Sequence, residues 1–193
     1  ASVIAFAITL EYGLGVDLGA DRVIFPTVVQ AAEAGLPGRP SAMTGLALLF
    51  AGLSLFRLAD RSGPAQRDAQ ILALVSGFIA LAALIGFLYG SRRFIEFLGG
   101  GRLPLALNTS LSLLALSVGV LASTPRGGIM AVITADDVGG RVARRLLPVA
   151  IVVPIALEWL RLQGQRNALY SPAFGLSLGV SAIILVLTAV IWR

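Results

Sequence analysis

Apolar runs of bilayer-crossing length recur along this chain, separated by short segments that hold nearly all of its Arg, Asp, Gly and Pro. A helix rises about 1.5 Å per residue, so roughly 20 mostly apolar residues cross a hydrocarbon core about 30 Å thick. The runs lie at about 1–13, 42–58, 69–89, 105–123, 146–162 and 174–192. They predict an all-α polytopic membrane protein of about six transmembrane helices, the first one truncated. Composition agrees: 57% of the residues are hydrophobic and 13% charged, with a mean hydropathy of +0.90. A soluble fold could not cover so much apolar surface.

The first run is too short to span, and it opens on Ala1 without a basic stretch. It reads as the second half of a helix. A cleaved signal peptide fits poorly, because Thr9, Glu11 and Tyr12 follow without a small-residue cleavage site. The connections read as turns at the membrane surface, with Gly63-Pro64 in one and three consecutive glycines in another. Residues 14–41 form the longest outer segment. Its apolar stretch 23–29, flanked by Asp21, Arg22 and Glu33, suggests an element lying in the interface, and 128–135 suggests a second.

A weak internal repeat supports three stacked hairpins, about 1–58, 69–123 and 146–193, within one integral membrane domain spanning 1–193. Leu10-Glu11-Tyr12-Gly13 resembles Leu88-Tyr89-Gly90, and Leu157-Glu158-Trp159 takes the same place in a third copy. Thr44-Gly45-Leu46-Ala47-Leu48-Leu49 pairs with Thr109-Ser110-Leu111-Ser112-Leu113-Leu114, and Gly175-Leu176-Ser177-Leu178 aligns with Gly45 to Leu48.

All 15 basic residues are Arg, and the net charge is +5. They divide nearly evenly between the two faces. Arg57, Arg61, Arg67, Arg126, Arg141, Arg144, Arg145 and Arg193 are the more closely set beside their helices, which places the C-terminus in the cytoplasm. Arg at lipid headgroups accounts for the charge, each gaining on the order of 1 kcal/mol from anionic lipid. Membrane lipids are the expected partners, with other membrane subunits or a second copy; nothing points to nucleic acid.

The chain has no His, Cys or Lys. Those absences remove imidazole ligation of haem or copper, thiolate chemistry, and Schiff-base binding of retinal or pyridoxal phosphate. No P-loop occurs, and the glycines at 13, 15 and 19 do not match the dinucleotide fingerprint. The reading is therefore a chain with no catalytic residues, no cofactor and no metal.

Polar groups near the membrane remain as candidates. Glu11 and Glu158 each sit beside an aromatic residue, Tyr12 or Trp159. Both could lie at the interface in the aromatic belt, with Arg161 pairing nearby, or in a polar chamber capped by 14–41 that recognises a ligand or changes protonation. Asn108, Ser112, Ala115, Gly119 and Ser123 are spaced to share one helix face, with Thr109, Ser110 and Ser117 close by. This stripe is expected to face protein, chiefly for packing, so Leu at Gly119 or Ser112 should overpack the bundle. Gly86 with Gly90, and Gly175 with Gly179, would permit close contacts in the same way; the second pair with Ser181 could equally serve another subunit. Pro148 and Pro154 should kink the fifth helix.

Pro37-Gly38-Arg39 leading into Thr44, Leu107-Asn108-Thr109, and Gly139-Gly140-Arg141 through Arg144-Arg145-Leu146-Leu147-Pro148 carry a family resemblance. It continues to Trp159-Leu160-Arg161-Leu162 and Gly164-Gln165-Arg166. Together these resemble the N-terminal multi-pass transmembrane region of bacterial sensor proteins, which precedes PAS or GAF modules and a histidine kinase or diguanylate cyclase output. Met43 stands where the family pattern more often has Asn. The resemblance implies a non-catalytic signal-input domain in the bacterial inner membrane, whose last helix continues into a cytoplasmic linker. Two other readings stand beside it. One is an accessory transmembrane subunit of a photosynthetic or respiratory complex, and the other is a small transporter.

Overall fold

The structure, a computed structural model, describes Phe6 and residues 41–60, 62–91 and 105–192. Those residues are helical with connecting turns and contain no strand. The helices are α1 (Ala42–Leu58), α2 (Gly63–Tyr89), α3 (Leu107–Ser123), α4 (Met130–Thr134), α5 (Val138–Arg166) and α6 (Pro172–Trp192). Three of them, α2, α5 and α6, are long and apolar enough to cross a membrane. The apolar helices α1 and α3 have 17 residues each. Apart from Phe6, the run 1–13 and the outer segment 14–41 lie outside the described residues, save Ser41.

Local chemistry sets the boundaries. Ser41, in extended conformation, caps α1 by accepting from the Thr44 backbone N–H at 3.2 Å, and the two hydroxyls lie 2.8 Å apart. The side chain of Ser62 makes no such bond, and Pro64 supplies a preset φ in the first turn of α2. At the other end Gly90 adopts φ 63°, Gly90 N–H donates to Phe87 O and Ser91 N–H to Gly86 O. That is the Schellman closure, which needs a left-handed residue after the last turn. Asp137 caps α5 by accepting from Gly140 N–H at 2.7 Å. The helix therefore starts well before the expected apolar run at 146 and takes Arg141, Arg144 and Arg145 into its first turns.

The contacts gather in two compact units, Ala1–Met130 and Ala131–Arg193. In the first, α2 is central and packs against both α1 and α3, which touch each other less. Its interior is built from small residues: Ala47 and Ala51 on α1, Ala69, Ala73, Ala80 and Ala83 on α2 are all buried. Buried hydroxyls join backbones across the seam, Ser54 donating to Ala69 O at 2.7 Å and Ser76 to Ala47 O at 2.9 Å. Opposite, a Cβ on Gly77 would sit 3.0 Å from Ser117 Cβ, so α2 and α3 meet closely there.

Large side chains face outward instead, Phe56 and Phe78 being 75% and 72% exposed. This inverts the soluble pattern. Lipid tails are as apolar as Leu, so burying a large side chain against protein gains little, and small residues that let backbones approach take the seam.

The second unit is the pair α5 and α6 with the turn 167–171 between them. Both Pro148 and Pro154 lie inside α5, which continues through them. Leu157-Glu158-Trp159 also lies inside α5, about two turns before its end, whereas Leu88-Tyr89 ends α2. Gly90 accounts for the difference: it stops α2 with a positive φ, and Leu160 has no such freedom. The other repeat keeps its register, since Thr44 and Thr109 are each the third residue of their helix.

Candidate functional site

Polar side chains concentrate at two places, one in each unit. In the first unit Gln70, fully buried in α2, faces the segment that follows α3. Its Nε2 donates to Thr124 Oγ1 at 2.8 Å, Gly127 O at 3.0 Å and Thr124 O at 3.1 Å. Its Oε1 accepts from Ile129 N–H at 2.6 Å and Met130 N–H at 3.1 Å. One amide thus satisfies the backbone of a turn that has no regular structure. Gly128 takes φ 56°, and a Cβ there would meet Arg67 Cα at 3.0 Å, so the turn can approach α2 only as glycine. Within 128–135, Met130–Thr134 form the short helix α4.

In the second unit Glu158 accepts from Arg161 Nε at 2.6 Å, and their side chains are 25% and 19% exposed. The pair packs on α6: a Cβ added to Gly179 would lie 2.9 Å from Glu158 Oε1 and 3.2 Å from Arg161 Cδ. Closer to the turn, Tyr170 donates its hydroxyl proton to Arg161 O at 2.9 Å and lies against Gly164 and Gly175. Its ring is 5.9 Å from that of Phe174, centroid to centroid. Gly175 and Gly179 are the buried residues of α6, so the small pair sits where α6 meets α5 within the chain. A largely buried charge is costly unless paired, and Arg161 supplies the partner.

The remaining candidates fall elsewhere. Glu11 lies outside the described residues. Thr44 is a buried partner of the α1 cap, and Met43 beside it is half-buried. On α3, Asn108, Ser112, Ala115, Gly119 and Ser123 are exposed and Thr109 is half-buried. Nothing lies within 4 Å of a Cβ built on Gly119. The stripe expected to face protein is therefore corrected: the buried face of α3 is Ser110, Leu113, Ser117 and Val120. Both sets have helical spacing and small polar members, and Gly77 selects the second by accepting Ser117.

No protein-family model, curated protein or solved structure matches this chain.

Sequence reasoning passed over Gln70 and Tyr170. Gln70 carried a signal, because an uncharged amide inside the apolar run 69–89 must find partners in the protein. Among the described residues no three Asp or Glu side chains gather as a metal site would require. Chemically, the two clusters bind backbone and hold charge. Of these two clusters, the Glu158–Arg161 pair is the one that sets ionisable groups against a neighbouring helix.

Proposed function

We propose that the chain is a non-catalytic integral membrane domain of about six helices in three hairpins, seated in a bacterial inner membrane with its C-terminus in the cytoplasm. We further propose that it is the signal-input region of a sensor protein. The observation that carries this reading is the α5–α6 seam. Two helices of membrane-crossing length meet where Gly175 and Gly179, the buried residues of α6, lie against Tyr170 and against the Glu158–Arg161 ion pair of α5. Glycines on α6 let the two helices approach closely, and small helix shifts are a recognised way to carry a signal. Glu158 and Arg161 then fix one register of the two helices, and a stimulus that disturbs the pair changes it.

The test uses the native full-length protein in its membranes. Glu158→Gln and Arg161→Gln should each shift basal output or abolish the response, while thermal stability in detergent falls by only a few degrees. Output indistinguishable from that of the unsubstituted protein in both variants would refute the reading.

A second reading, an accessory subunit of a larger membrane complex, is favoured by the outer face of α3. There Asn108, Ser112 and Gly119 are exposed and Gly119 opens on free space. A helix from another subunit would fit closely against such a face.

A further inference from the structure

Between α1 and α2 the same size rule that builds the interior also builds a groove. Small residues at the seam, Ala51 and Ser54 on one helix and Ala69 and Ala73 on the other, are buried and draw the backbones together. Larger side chains one step round each helix then stand up as walls. Leu53, Phe56 and Arg57 of α1 and Asp68, Ile71 and Leu72 of α2 line the groove. Each set has the i, i+3, i+4 spacing that places it on one helix face.

The groove is apolar within and charged at its mouth. Arg57 is in the last turn of α1, and Asp68 directly precedes the apolar run of α2, so both sit at the membrane surface. They face each other with Arg57 Nη2 3.7 Å from Asp68 Oδ2, and their side chains are 52% and 49% exposed. A charge-assisted hydrogen bond closes to about 2.7–2.9 Å. This pair is open, and each group keeps capacity for a further partner. Of the neighbouring charges, Asp60 is engaged by the Ser62 N–H at 3.0 Å, and Arg67 is exposed.

We propose that this groove is a binding site for one phospholipid with a phosphoethanolamine headgroup. The phosphate sits on the Arg57 guanidinium, the primary ammonium on the Asp68 carboxylate, and an acyl chain runs along Phe56, Ile71 and Leu53. Charge complementarity selects this occupant. One cation and one anion at the mouth are both met by a zwitterionic headgroup, whereas an anionic headgroup pairs with Arg57 and sets a like charge against Asp68. The quaternary ammonium of choline has no N–H to donate to the carboxylate, and a primary ammonium has three. A soluble phosphate would leave the apolar walls uncovered.

The experiment is native mass spectrometry of the full chain in mild detergent, titrated separately with phosphatidylethanolamine, phosphatidylcholine and phosphatidylglycerol of identical acyl chains. One phosphatidylethanolamine should be retained about two- to fivefold more strongly than either other lipid, the scale of a half-exposed ion pair. Asp68→Asn should bring phosphatidylethanolamine down to the phosphatidylcholine level, and Arg57→Gln should weaken both. Phe78→Ala, at an exposed position that does not line the groove, should leave the preference unchanged. Equal retention of the three lipids, a preference for phosphatidylglycerol, or a preference that survives Asp68→Asn would overturn the proposal. Loss of the preference in Phe78→Ala would overturn it as well, by placing the selectivity elsewhere. Asp68→Asn preserves side-chain size and Arg57→Gln shortens a half-exposed side chain, and a thermal melt of each variant verifies that it is folded.

Discussion

Gln70 shows what a single polar side chain does in an apolar setting. Its five hydrogen bonds reach two backbone N–H groups, two backbone carbonyls and the Thr124 hydroxyl of the turn after α3. Gln70→Leu keeps the volume and removes every one of these bonds, and losing the hydrogen bonds of a buried amide costs about 1–3 kcal/mol. Thermal unfolding in detergent should show a loss on that scale, about 1–3 kcal/mol. Glycines divide in the same way by what surrounds them. Gly77→Leu would drive a side chain into Ser117 and should cost at least about 1–3 kcal/mol by overpacking. Gly119→Leu meets open space and should leave the stability of the isolated chain within about 0.5 kcal/mol. Measuring both variants side by side tests the corrected face of α3: equal losses would restore the stripe through Asn108 as the packed one.

At the scale of the helix, the α5–α6 hairpin makes the clearest prediction. Gly179→Leu places a side chain on the Glu158–Arg161 pair and Gly175→Ala places a methyl against the Tyr170 ring, so both should separate the helices. Pairs of engineered cysteines across the seam would read this directly, because the chain has no cysteine of its own. Cross-linking should fall in both variants, and undiminished cross-linking would show that the seam tolerates bulk. These elements were largely legible in the sequence. Residues 42–58 form α1 as expected, because Ser41 and the end of the apolar run both mark its limits. The starts of α2 and α5 were not, since their polar first turns carry Gln66 and Arg67, or Arg141, Arg144 and Arg145, which hydropathy assigns to loops. The Asp137 cap of α5 and the preset φ of Pro64 in the first turn of α2 decide those boundaries. The buried face of α3 was likewise hidden, because two interleaved small-residue stripes have the same period and only the partner helix chooses between them. The Glu158–Arg161 pair could be anticipated from its i, i+3 spacing, but its seat on Gly179 depends on where the turn brings α6.

For the whole molecule, small residues inside and large apolar ones outside describe a protein whose solvent is lipid. Three helices of crossing length place it in a membrane. The role of that membrane unit is the central claim: the chain receives a signal and passes it to modules that carry the chemistry. The most direct measurement is the intact mass of the native polypeptide purified in mild detergent, with every co-purifying chain identified. The signal-input account predicts a polypeptide far heavier than the 20.0 kDa of these 193 residues, continuing past Arg193 into cytoplasmic modules. A short polypeptide held in fixed stoichiometry within a larger membrane complex would contradict it.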